Sequence, residues 1–83
     1  MDKPAFLNDV RNFLTTLVGL TMDEGFLKIT EYLNPSVECG EIDGFDTSYD
    51  EDTSGVSVDL YYKDGYCDTL TILPNGKILE GLQ

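Results

Sequence analysis

Two short turn signals, Lys63-Asp64-Gly65 and Pro74-Asn75-Gly76, cut the stretch SVDLYYKDGYCDTLTILPNGKILEG into three segments. The segments alternate apolar and polar residues, the period of a half-buried strand. Register at the first turn follows from loop length. A two-residue Asp-Gly loop would pair Tyr62 with Cys67 and Val58 with Thr71, scattering the apolar side chains over both faces. A three-residue loop ending in a left-handed Gly65 pairs Tyr62 with Tyr66 and Val58 with Leu70. It gathers Val56, Val58, Leu60, Tyr62, Tyr66, Leu70 and Ile72 on one face. Ser57, Asp59, Tyr61, Cys67, Thr69 and Thr71 then share the other. A one-residue slip reverses every side chain, so the second register is chosen. Pro74-Asn75-Gly76 fits the same kind of turn and returns KILEGL as a third strand. The strands expected are 56–62, 66–73 and 77–82, with a short fourth near Val37 to Ile42.

Upstream, the apolar spacing changes to three and four. Phe6, Leu7, Val10, Phe13, Leu14, Leu17 and Val18 form one helical stripe, predicting a helix over about 4–18. Pro4 suits its first turn, Asp2 complements its positive end, and Gly19 offers a left-handed stop. Thr21 and Glu24 have the spacing of a capping box. Met22, Phe26, Ile29 and Leu33 continue behind it as a second stripe, over about 22–33. Asn34-Pro35 is expected to end that helix, because a residue before proline is pushed out of the α region. The expectation is a single α+β domain over residues 1–83: two N-terminal helices on one face of an antiparallel meander of three to four strands.

Charge narrows the chemistry. Sixteen acids face five bases, a formal net charge of −11. This argues against direct binding to nucleic acid or an anionic membrane, which calls for lysine and arginine. A composition that is 41% hydrophobic, with five Tyr and four Phe, is too apolar for a disordered chain. Cys39 and Cys67 match no metal or redox spacing and read as reduced thiols, which points to the cytoplasm. No stretch has the pattern of a signal peptide or the length of a membrane span.

The acids are concentrated. Nine of them, and no base, lie between Lys28 and Lys63. The segment 41–54 is glycine-flanked and is expected to be an acidic loop. With no histidine in the chain, the usual general base is absent, and no cofactor is implied. Asp50 to Gly55 resembles the first half of an EF-hand calcium loop, which would make Asp50, Asp52 and Ser54 ligands. The place of the bidentate glutamate is taken by Tyr61, so the metal reading ranks below a protein interface.

Aromatic side chains among acids suit such an interface, the rings burying area while the carboxylates steer. The surface expected to meet a partner comprises Glu41, Asp43, Phe45, Asp46, Tyr49, Asp50, Glu51 and Asp52, with Asp59 and Tyr61 beside it. In size, charge and aromatic content the chain resembles the physical type of small acidic inhibitors: toxin-immunity proteins, and phage anti-CRISPR or DNA-mimic proteins. The expected function is a non-enzymatic inhibitor of a basic protein, such as a nuclease or other nucleic-acid-binding protein. A structural or regulatory interaction domain without inhibitory action is the alternative, and a calcium-binding module is a further one.

Overall fold

The computed structural model describes residues 2–81. Its elements follow the chain as α1 (Lys3–Thr15), α2 (Met22–Glu38), β1 (Gly44–Asp50), β2 (Gly55–Tyr61), β3 (Cys67–Ile72) and β4 (Ile78–Glu80). The four strands form one antiparallel sheet whose spatial order, β1-β2-β3-β4, is the order in sequence. Both helices lie on one face, so the fold is α+β with the helices N-terminal to the strands. No helix among the described residues is long and apolar enough to cross a membrane.

The central hairpin has the expected register. Val58 pairs with Leu70, and the Tyr62 N–H donates to the Tyr66 carbonyl at 2.9 Å. The turn closes when Gly65, at φ +90°, donates to the Tyr62 carbonyl, while the Asp64 carboxylate accepts from the Tyr66 N–H. The second turn repeats this geometry. Gly76 is also at φ +90° and donates to Leu73, and the Asn75 side chain accepts from the Lys77 N–H. Asx side chains and left-handed glycines make both turns from local sequence alone.

The stripes meet the sheet in one core. Phe6, Val10, Leu14 and Leu17 from the first, and Ile29 and Leu33 from the second, pack on Val58, Leu60, Tyr62, Leu70 and Ile72. Asp2 caps α1 and Pro4 occupies its first turn. The capping box at α2 is complete: the Thr21 hydroxyl accepts from the Glu24 N–H, and the Glu24 carboxylate reaches back to Thr21.

Several elements differ from the sequence expectation. α1 stops at Thr15 rather than Val18. The hydroxyls of Thr15 and Thr16 donate back to the Asn12 and Phe13 carbonyls, competing with the helical ladder there. α2 does not end at Asn34; it runs through Pro35 to Glu38. Proline removes one hydrogen bond and costs about 3 kcal/mol in a helix interior. The extra turn brings Val37, eight positions after Ile29, onto the core and leads into Ile42, which is 1% exposed. Burial of this kind is worth roughly 1.5–3 kcal/mol per full side chain, enough to offset the proline.

No strand forms over Val37 to Ile42, and the expected acidic loop at 41–54 is mostly strand. β1 occupies its middle, leaving only a four-residue connection between Asp50 and Gly55. Gly55 is needed at the end of that connection, because an added Cβ would lie 2.8 Å from Thr71 Cγ2 and 3.0 Å from the Ile72 carbonyl. Tyr66, expected on the apolar face, is 71% exposed because it lies past the end of the core. The Lys3 ammonium sits 5.0 Å from its ring centroid. Of the last strand expected, Leu82 lies outside the described residues.

Candidate functional site

The face of the sheet away from the helices is covered by no helix or strand among the described residues. Alternation puts Asp46, Ser48 and Asp50 of β1 on it, with Ser57, Asp59 and Tyr61 of β2 and Cys67, Thr69 and Thr71 of β3. None of these positions is a base.

The carboxylates are held by hydroxyls. Asp46 and Asp59 stand directly opposite each other on β1 and β2. Like charges so placed repel. The Tyr61 hydroxyl donates to Asp46 Oδ2 at 2.9 Å, and the Thr69 hydroxyl donates to Asp59 Oδ1 at 2.6 Å. Ser57 and Thr71 share a hydrogen bond of 2.7 Å beside them. The Asp46 hydrogen bond is the first cause that pushes the Tyr61 phenol up to about 12, so Tyr61 remains a donor at neutral pH. Asp50 closes the β1–β2 turn: one oxygen accepts from the Asp52 N–H and the other from the Thr53 hydroxyl, each at 3.0 Å. Glu51 and Asp52 project at the exposed tip. Asp50, Asp52, Asp59 and Thr69, with Ser57 and Thr71, border a shallow trough of ≈ 400 Å³.

The residues expected to share one surface therefore separate into three places. Asp46, Asp50, Asp59 and Tyr61 lie on the open face, with Glu51 and Asp52 at its rim. Glu41 and Asp43 lie at the opposite end of β1, where Asp43 faces Lys63 at 3.9 Å and Glu41 accepts from the Ser36 hydroxyl at 3.4 Å. Phe45 and Tyr49 point to the other side of the sheet. Phe45 packs against the core and is no exposed anchor, which corrects its expected role. Tyr49, 43% exposed, borders an apolar groove of ≈ 270 Å³ beside Leu20, Met22, Val56 and Pro74.

The residues missed by the sequence reading are the hydroxyls, above all Thr69 and Ser48. Thr69 was legible from the β2–β3 register, which sets it opposite Asp59. Ser48 required seeing the alternation Phe45, Thr47, Tyr49 against Asp46, Ser48, Asp50.

The EF-hand resemblance does not extend into the fold. The chain turns sharply at Ser54, at φ +58°, and enters β2 at Gly55. No group of three or more acids or thiols among the described residues is arranged to hold a metal ion. Cys39 and Cys67 are both exposed free thiols. Burial and the nearby Asp59 raise the Cys67 thiol, which disfavours its thiolate.

Four of the five described bases pair with acids other than Asp46, Asp50 and Asp59; the fifth, Lys77, stands immediately before β4, two positions before Leu79, which is opposite Thr71. Lys3, Arg11, Lys28 and Lys63 pair with Asp64, Glu80, Glu31 and Asp43, respectively. No family model, curated protein or solved structure matches the chain.

Proposed function

We propose that the protein is a non-enzymatic acidic binding protein whose open sheet face covers a basic surface on a nucleic-acid-handling protein, inhibiting it. The observation that carries this reading is a sheet face bearing Asp46, Asp50 and Asp59 on two adjacent strands that contain no base, the carboxylates anchored by hydroxyls. Carboxylates fixed on paired strands cost less ordering on binding than carboxylates on a loose loop. They occupy the place that phosphates would take on such a partner, and Glu51 and Asp52 at the rim steer the approach. Immunity to a nuclease toxin and blockade of a defence nuclease both use this chemistry.

The test is affinity capture from the native host with wild type and with a Glu51→Lys/Asp52→Lys/Asp59→Lys variant shown to be folded. Wild type should retain a basic protein that the variant loses, and that retention should fall steeply with salt, because exposed charges are screened over roughly 8 Å at physiological ionic strength. Equal retention by both proteins would refute the reading.

A further inference from the structure

One long edge of the sheet is left open. The Tyr62–Tyr66 pair is hydrogen-bonded, so alternation directs the backbone groups of Val56, Val58 and Leu60 to β3 and those of Ser57, Asp59 and Tyr61 to β1. Within β1, Gly44, Asp46, Ser48 and Asp50 therefore bond to β2, while Phe45, Thr47 and Tyr49 aim their N–H and C=O groups outward. No backbone hydrogen bond among the described residues reaches that edge.

Natural sheets blunt an edge with lysine, proline, a charge aimed along it or a very short strand. The opposite edge follows this rule, since β4 has 3 residues. β1 has 7 residues, all paired to β2, and contains neither lysine nor proline.

We propose that β1 is the docking edge for an extended, alternately basic segment of the partner, which adds to the sheet as a fifth strand. This rests on the acidic-face reading and specifies how the face is engaged. Charge complementarity selects the occupant. An added strand would form its hydrogen-bonded pairs with Phe45, Thr47 and Tyr49. Its residues opposite Asp46, Ser48 and Asp50 would fall in non-hydrogen-bonded pairs, where side chains approach most closely. Lysine or arginine at alternate positions would then meet Asp46 and Asp50 on the open face. Apolar residues between them would extend the side that carries Phe45 and Tyr49.

A second copy of the chain fits this edge less well. Antiparallel self-pairing about Thr47 matches Phe45 with Tyr49, but it abuts two acidic faces on chains of net charge −11.

The test uses a capped seven-residue peptide of alternating lysine and valine. Its comparison is the same peptide N-methylated at the residues that would pair with β1, which keeps the charge and removes the donors. Hydrogen exchange should slow about tenfold or more at the Phe45, Thr47 and Tyr49 amides with the first peptide and not with the second. Thr47→Pro removes an outward N–H without touching the β2 ladder, and edge strands accept proline. It should weaken the first peptide about tenfold. Thr47→N-methyl-threonine, introduced by chemical synthesis, gives the same loss without the ring should the proline variant fail to fold.

Equal, salt-sensitive binding of both peptides would overturn strand addition and leave the acidic-face reading standing. Binding of neither peptide at low salt would overturn both. Protection of the three amides by concentration-dependent dimerisation, with no peptide present, would assign the edge to a second copy and overturn the proposal.

Discussion

The opposed carboxylates of Asp46 and Asp59 should store a measurable repulsion. As a hydrogen-bonded antiparallel pair their Cα atoms are about 5.5 Å apart. At that separation two unit charges interact by about 0.8 kcal/mol in bulk water and about 3 kcal/mol at an effective dielectric near 20. Asp46 is exposed and Asp59 half-buried, so water screens the pair and the expected value is near the lower bound, about 1 kcal/mol.

A double-mutant cycle with Asp46→Asn and Asp59→Asn isolates this quantity, because the amide oxygens can still accept from Tyr61 and Thr69. Either single change relieves the whole repulsion, so the second adds nothing to it. At low salt the two single effects should therefore sum to about 1 kcal/mol more stabilisation than the double variant gains. In a domain of this size 1 kcal/mol is roughly 4–8 °C in Tm, well within reach of thermal melts. At about 1 M salt the Debye length is about 3 Å, shorter than the separation, and the gap should fall below half. Additive effects at low salt, or a gap unchanged by salt, would refute the reasoning. A gap that behaves as expected identifies a charge pair that stability alone disfavours, the trade expected of residues kept for binding.

Phe45→Ala should destabilise the fold by about 2 kcal/mol, roughly half the usual cost of truncating a fully buried phenylalanine, since its ring is only partly buried. Tyr49→Ala should cost less than about 1 kcal/mol, and comparative urea melts that reverse this order would count against the packing described. The Tyr62 phenol is raised above 10.0, first by burial and then by its hydrogen bond to Asp68, so its contribution to stability is complete below pH 10.0 and disappears as pH rises through the folded-state value. Melts in alkaline buffers should show stability falling above pH 10.0, and stability that stays level as the Tyr62 phenol ionises would contradict this.

The second half of the chain was the more readable because its determinants are local. Asp64-Gly65 and Asn75-Gly76 specify their turns within five residues, and the register follows from keeping Val58, Leu60 and Leu70 together. β1 was hidden by composition. Asp and Gly are depleted in strands, and the segment reads as a loop until the free side of β2 is considered as its partner.

The same strand divides the candidate site. Aromatic rings and acids adjacent in sequence suggest one surface, but a strand sends neighbours to opposite faces. Phe45 and Tyr49 therefore went one way and Asp46 and Asp50 the other. The end of α2 escaped for a related reason. The rule for residues before proline is local, whereas the gain from burying Val37 and Ile42 is set by the assembled core.

The agreement between sheet order and sequence order bears on how fast the protein reaches its native state. No β-strand waits for a distant part of the chain to find it, since each pairs with its immediate neighbour across a tight connection. Closing such short loops costs little entropy, and hairpins form on the order of 1–10 μs. The longest search left is the docking of α1 onto β3, so the rate-limiting barrier should lie in bringing the helical stripes onto a meander that has already begun to zip.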